Sequence, residues 1–123
     1  MTLKSLLLIA PLTLTGVANA HGSHLTDAQY FAAVRCQTLM SSSNLGREDT
    51  RIIDALVKSE GSDRAAAAYD RGESVREDTA RVARNAGAYS KAALISERDG
   101  LCRSLTGVVS QASVATSMAN RTN

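Results

Sequence analysis

The chain has 123 residues, a net charge of +2 from 14 Lys and Arg against 12 Asp and Glu, and few aromatic residues (one Phe and three Tyr). The charges are mixed along the chain and form no basic stripe, which argues against nucleic-acid binding and against electrostatic attachment to a membrane. Few aromatic side chains are available to stack on bases, and the length supports one domain with a single small core.

The first 20 residues have the pattern of an export signal. Lys4 precedes an apolar segment, and Ala18-Asn19-Ala20 places small residues at the −3 and −1 positions of a cleavage site after Ala20. The apolar run is broken and shorter than the roughly 20 residues that a membrane-spanning helix needs. A buried N-terminal helix is the alternative interpretation. The pattern predicts a mature chain that begins at His21, has no membrane anchor, and is periplasmic or secreted.

Residues 26–40 predict the first helix. Thr26 is a natural N-cap, and Gln29 completes a capping box with it, while Leu25 and Tyr30 have the spacing of a hydrophobic staple. The predicted core face repeats every three or four residues and consists of Ala28, Ala32, Cys36, Leu39 and Met40, with Phe31 beside it. Cys36 is therefore expected to face the core.

A turn at residues 41–46 separates this helix from a second one, predicted over residues 47–60. Gly61 is expected just after its last turn, where glycine commonly ends a helix. The predicted core face of this helix consists of Ile52, Ile53, Leu56 and Val57.

The third helix is predicted over residues 64–86, with Ser62 or Asp63 as its cap. Its expected core face consists of Ala65, Ala68, Tyr69, Gly72, Val75, Thr79, Val82 and Ala86. Gly72 costs up to about 1 kcal/mol relative to alanine within a helix, so a kink or two shorter helices are alternatives to one continuous helix. Glu77 and Arg81 have the i,i+4 spacing of an ion pair.

A turn at residues 85–90 precedes the last predicted helix, which Ser90 caps. Its expected core face consists of Leu94, Ile95, Leu101, Cys102, Leu105 and Val108 or Val109. From Ser110 onward small and polar residues favour a disordered tail over residues 110–123, with at most a frayed turn of helix. The chain therefore predicts an all-α fold, a small helical bundle of three to five helices over residues 26–109, behind a flexible lead-in at residues 21–25.

Cys36 and Cys102 are the only two cysteines. In an exported chain, two cysteines favour one intramolecular disulfide, which would place the first helix beside the last. The chain-entropy model assigns about 4 kcal/mol to a loop of this size. The alternatives are a redox-active pair, for which the usual C-x-x-C motif is missing, and an intermolecular bond.

Both histidines, His21 and His24, lie in the lead-in. Cleavage after Ala20 would give His21 a free α-amine beside its imidazole, and with His24 these nitrogens suit copper(II) or nickel(II). At this position the chain resembles the copper-binding proteins and oxygenases that use an N-terminal histidine brace. The resemblance implies a copper site; a tail that binds metal incidentally is the alternative.

The sequence contains no catalytic constellation and no cofactor motif. G-x-S-x-G and C-x-x-C-H are missing, and adjacent acids such as Glu48-Asp49 diverge by about 100° on a helix. The first interpretation is a non-enzymatic binding module for an unknown protein partner, with a homodimer as one form, that uses the alanine–arginine face of the third helix. The chain also resembles the small periplasmic acid-stress chaperones in size, export signal, helicity and its one disulfide. That resemblance implies a holdase that acid loosens if its native carboxylates are paired.

Overall fold

The computed structural model describes residues 24–121, which fold into four helices with no strand among them. Helices α1, α2 and α3 span Asp27–Ser41, Arg51–Ser62 and Ala66–Asn85. The last helix runs through residues 88–121, and a π turn at Arg98–Cys102 divides it into α4, Ala88–Glu97, and α5, Arg103–Arg121. The expected all-α bundle of three to five helices with one disulfide is confirmed.

Two predictions concern the ends of the chain. The export signal, its cleavage site after Ala20, and His21 lie outside the described residues. At the other end α5 is helical as far as Arg121, whereas the sequence favours a disordered tail, with at most a frayed turn of helix, over residues 110–123. No proline or glycine follows Gly107, so nothing in the sequence breaks this helix. Disorder of the tail in solution stays a prediction.

Helix α1 is the centre of the bundle and contacts α2, α3 and the π turn. Its predicted start is confirmed, since the Thr26 hydroxyl accepts from the Gln29 N–H at 3.2 Å and the Gln29 side chain accepts from the Thr26 N–H at 2.9 Å. The predicted core face is wrong in its first half, where the two alanines are exposed. The buried face of α1 consists of Tyr30, Ala33, Val34, Cys36, Thr38, Leu39 and Met40. Alanine occurs on both sides of this helix, so it does not tell the two faces apart.

Tyr30 is buried at the place where α1, α2 and α3 meet, and glycines make room for it. A Cβ atom built on Gly72 of α3 would lie 2.8 Å from Cε1 of Tyr30, and one built on Gly61 of α2 would lie 3.0 Å from the Tyr30 hydroxyl oxygen. Helix α3 is continuous through Gly72, so the two-helix alternative is wrong. Gly61 lies within α2 and not after it, because α2 extends to Ser62.

Helix α2 begins four residues later than predicted. The segment before it is drawn toward α1, where the Glu48 N–H donates to the Met40 carbonyl at 2.9 Å. Ile53 and Val57 are buried in the core, Leu56 is partly buried against it, and Ile52 is exposed.

Helix α3 buries Gly72, Thr79 and Ala83, but Tyr69 and Val82 of its predicted face are exposed. Its expected Glu77–Arg81 pair is also wrong, since Arg81 pairs with Asp78 at 2.6 Å, one residue away from the expected partner.

The last helix begins at Ala88, with Gly87 as its N-cap residue and no side-chain cap, so the predicted cap at Ser90 is wrong. Leu94 and Cys102 are buried as predicted, whereas Leu101 and Val108 are exposed. The π turn accounts for this difference, because i→i+5 bonding rotates the following residues away from the positions that a 3.6-residue period predicts.

Candidate functional site

The disulfide joins Cys36 of α1 to Cys102 of the π turn. Their Cα atoms are 5.3 Å apart, within the usual range of disulfides, and both residues are buried in the core. The predicted intramolecular pairing and the packing of the first helix beside the last are confirmed. Thiol exchange needs access to a sulfur atom, so burial on both sides favours a structural role.

Arg35 and Glu97 form a bidentate ion pair between α1 and α4. Arg35 donates from Nε to one carboxylate oxygen at 2.5 Å and from Nη2 to the other at 2.8 Å, and its Nη1 lies 3.5 Å from the Thr79 hydroxyl of α3. The hydrogen bonds from Arg35 lower the pKa of Glu97 below its ordinary value, although burial acts in the opposite direction. The same hydrogen bonds raise the pKa of Arg35. This pair therefore stabilises the contact among three helices when Glu97 is ionised.

Arg98 is a buried arginine in the π turn that holds the loop between α1 and α2. Its Nη1 donates to the carbonyls of Leu45 at 2.6 Å and Gly46 at 2.8 Å, and its Nε lies 3.4 Å from a Glu48 carboxylate oxygen. Its Nε also donates to Asp99 at 3.0 Å. A buried cation needs such partners, because desolvation of an unpaired charge costs several kcal/mol.

Arg64 is the centre of a third cluster of charged side chains, which lies beside the start of α1. It contacts Glu60 of α2 at 2.8 Å and Asp27 of α1 at 2.8 Å, and it donates to the Leu25 carbonyl. Its guanidinium carbon lies 5.1 Å from the centre of the Tyr30 ring, in the range of a cation–π contact. Both Arg64 and Glu60 have side chains that are only 11% exposed, so this pair is shielded from solvent.

His24 lies beside this cluster but does not complete a metal site. Its Nδ1 is 3.6 Å from a Glu60 oxygen and 3.8 Å from an Asp63 oxygen, and its side chain is 64% exposed. The Glu60 oxygen nearest to it also accepts from Arg64, which competes with any metal ion. Within residues 24–121 no group of three His, Cys, Asp or Glu side chains is arranged so that it could hold a metal ion. Since His21 lies outside this range, the copper site stays a prediction.

Exposed apolar side chains lie along the last helix. Tyr89, Leu101 and Val108 are 91%, 72% and 67% exposed, and we call these three residues the apolar surface. Leu101 and Val108 are seven residues, or about two turns, apart and lie on one side of the helix. Tyr89 lies about three turns before Leu101 on the same side, once the extra residue of the π turn is counted. No charged residue occurs between Arg103 and Arg121, where the polar residues are uncharged Ser, Thr, Gln and Asn.

The alanine–arginine face of α3, the surface expected from the sequence to bind a partner, is exposed over its first turns. Ala66, Ala67 and Arg71 are all exposed, whereas Ala83 near the other end is in the core. The face is thus accessible only in part.

Sequence reasoning missed the three arginine–carboxylate pairs between elements. All three arginines occur in segments that the sequence predicts as helical, where charged residues normally indicate a solvated face. Arg35 and Arg98 have partners 62 and 50 positions away, separations that no helical periodicity encodes. Glu60 and Arg64 have the i,i+4 spacing of a helical ion pair, a signal that the sequence analysis did not use. For Arg98 the available signal was its position four residues before Cys102, on the turn that the disulfide brings into the core.

Comparison with known proteins assigns neither a family nor a function, since no family model, curated protein or solved structure matches this chain. Among the described helices, none is long and apolar enough to cross a membrane.

Proposed function

We propose that this protein is exported to the periplasm or secreted, and acts there as a non-enzymatic module that binds a partner protein through the apolar surface. The observation that carries the proposal is the exposure of Tyr89, Leu101 and Val108 on one side of a helix that has no charged residue over positions 104–120. Aromatic and aliphatic side chains are common anchors of protein interfaces. The buried disulfide supports an oxidising compartment.

Site-specific photo-crosslinking in cells tests this proposal. A photoreactive residue placed at position 101 or 108 should form a discrete adduct, and an adduct of twice the chain mass would identify a second copy. The same residue at position 70, an exposed aspartate on α3, is the matched control and should form none. The absence of adducts at 101 and 108, or the same adducts at 70, would overturn the proposal.

A second candidate function is an acid-activated chaperone, and the Arg35–Glu97 ion pair favours it. These two partly buried side chains join α1 to α4. The hydrogen bonds from Arg35 lower the pKa of Glu97, so acid that protonates this carboxylate removes the stability that the pair contributes. The disulfide would keep α1 and the π turn together while the other contacts loosen.

The chaperone candidate predicts that the oxidised protein suppresses aggregation of an acid-unfolded client at about pH 2–3 and not at pH 7. Binding of a hydrophobic dye should rise over the same range of pH. A protein that stays compact and inactive toward the client at low pH would eliminate this candidate.

A further inference from the structure

A cavity of about 200 Å³ lies where the end of α1, the loop before α2 and the second half of α3 meet. Its polar lining consists of Thr38, Ser41, Ser42, Ser43, Arg47 and Arg84, and alanines of α3 complete it. We propose that this cavity binds a small dianionic oxyanion, either inorganic phosphate or the phosphate group of a small monoester.

The charge of the cavity points to an anion. Arg47 and Arg84 contribute two positive charges, and no carboxylate is among the described residues that line it. The acids close to Arg47 in sequence are already paired elsewhere, since Glu48 lies beside Arg98 and Asp49 pairs with Arg51 at 2.6 Å. Two uncompensated guanidinium groups match a doubly charged ligand, and their fork of donors suits phosphate oxygens.

Hydrogen-bond donors remain free in this cavity. The side chains of Ser42, Ser43, Arg47 and Arg84 have no hydrogen bond or ion pair within the part of the chain that the structure describes. Each could therefore donate to a ligand without breaking a native bond. Thr38 differs, because its hydroxyl already donates to the Val34 carbonyl at 2.9 Å.

Several carbonyls at the nearby helix ends already accept hydrogen bonds. In α1, Thr38 O accepts from the Ser41 hydroxyl, Leu39 O from the Ser42 N–H, and Met40 O from the Glu48 N–H. At the end of α3, the Asn44 side chain donates to the Ala83 carbonyl at 2.8 Å. The negative ends of the helix dipoles oppose an anion, but their effect at an exposed helix end is smaller than that of charge-assisted hydrogen bonds from two arginines.

The loop that carries the two serines and Arg47 is held in place before any ligand arrives. Asn44 anchors it to α3, Leu45 is buried in the core, and Arg98 binds the carbonyls of Leu45 and Gly46. Gly46 has a φ of +82°, a conformation that glycine adopts readily, and it turns the chain toward Arg47. A loop fixed in this way binds a ligand with little loss of conformational entropy.

The test is a titration of the oxidised protein, in phosphate-free buffer, with inorganic phosphate and with phenyl phosphate, followed by amide chemical shifts. We expect saturable shifts confined to the Ser42–Arg47 loop and the residues around Arg84, with a Kd of about 1 mM or tighter. Acetate, a monoanion, should bind at least about tenfold more weakly, because it offers one charge and two oxygens.

Three arginine variants separate a built site from general attraction to a basic protein. Arg47→Gln and Arg84→Gln should each weaken phosphate binding by about tenfold or more. Arg71→Gln is the matched control, since Arg71 is an exposed arginine on α3 outside the cavity, and it should change binding less than about twofold.

Three results would each overturn the proposal. They are the absence of saturable chemical-shift changes in the wild-type protein, changes spread over the whole surface, and an equal loss of phosphate affinity in all three variants. Acetate that binds as tightly as phosphate would overturn the ligand class. The wild-type shift map decides the question even if a variant fails to fold.

Discussion

Tyr30 shows at the scale of one residue how three helices are fitted together. Its ring is buried, its hydroxyl and Cε1 lie against Gly61 and Gly72, and Arg64 contacts the ring. Burial is the main cause of the raised pKa of the Tyr30 hydroxyl. Helix propensity alone would favour alanine at both glycine positions, so the fit of the tyrosine outweighs a local cost of about 1 kcal/mol per glycine.

The substitution Gly72→Ala should therefore destabilise the protein despite the better helix propensity of alanine. A Cβ atom 2.8 Å from a buried ring forces the ring or the backbone of α3 to move, and overpacking of this kind costs about 1–3 kcal/mol. Urea unfolding monitored by circular dichroism measures the effect.

Gly107→Ala is the matched control for this prediction. Gly107 lies in α5 with nothing within 4 Å of a built Cβ atom, so alanine there should be neutral or stabilising by up to about 1 kcal/mol. Equal stabilities for the two variants would contradict the proposed role of Gly72 in making room for Tyr30.

At the scale of secondary-structure elements, the covalent link between α1 and the π turn is the strongest constraint. The linked cysteines are 66 positions apart, and a loop of that order contributes about 4 kcal/mol in the chain-entropy model. Helices α2 and α3 lie within this loop and contact α1 by packing and by side-chain hydrogen bonds, with Gln37 of α1 donating to Asp54 of α2 at 2.8 Å and accepting from Arg76 of α3 at 2.6 Å.

The double variant Cys36→Ala/Cys102→Ala should lose about 2–5 kcal/mol of unfolding free energy. Replacing both cysteines avoids leaving a single thiol that could form intermolecular bonds. Thermal unfolding with and without reductant gives an independent check, since reduced wild-type protein should unfold at nearly the temperature of the double variant. A wild-type midpoint unaffected by reductant would show that the fold does not depend on the bond.

The start of α1 and the disulfide were predictable because each rests on a strong short pattern: a capping box for one, and two cysteines for the other. The difference between the predicted and the observed buried face of α1 was not predictable, because Ala28, Ala32 and Ala33 are equally compatible with a buried and an exposed position. The exposure of Leu101 could not be predicted from the sequence either, because the π turn depends on tertiary contacts of Arg98 and Cys102. The anion cavity combines residues of α1, α3 and a loop, so only the folded chain reveals it.

The pH dependence of stability is a property of the whole molecule, and Glu97 provides its clearest component. The pKa of Glu97 is lower in the folded protein than in the unfolded chain, where a glutamate titrates near 4.3. Its contribution is therefore complete above that value and is lost as the pH falls through the folded-state pKa. Acid should weaken the contact of α4 with α1.

The variant Glu97→Gln should be less stable than wild type at pH 7, and the difference should shrink as the pH falls from about 5 to 3. We expect a difference on the order of 1 kcal/mol at pH 7, reduced by solvent screening because the side chains of Arg35 and Glu97 are 37% and 26% exposed. Urea unfolding at a series of pH values measures it.

Glu77→Gln serves as the control, because Glu77 is exposed and has no ion pair within residues 24–121. Its stability profile should run parallel to that of wild type. If the Glu97→Gln profile does so as well, the Arg35–Glu97 pair does not contribute to acid sensitivity.

The cross-link also divides the chain topologically, into a covalent ring over residues 36–102 and two arms outside it. A protease that cuts once anywhere inside the ring leaves both pieces attached through the disulfide, so the molecule keeps its size until a reductant is added. A cut within α5 lies outside the ring and releases a fragment at once. The apolar surface includes residues on both sides of Cys102, since Leu101 belongs to the covalent ring and Val108 to the C-terminal arm. A single cleavage between Arg103 and Val108 would therefore divide the surface between two separate molecules.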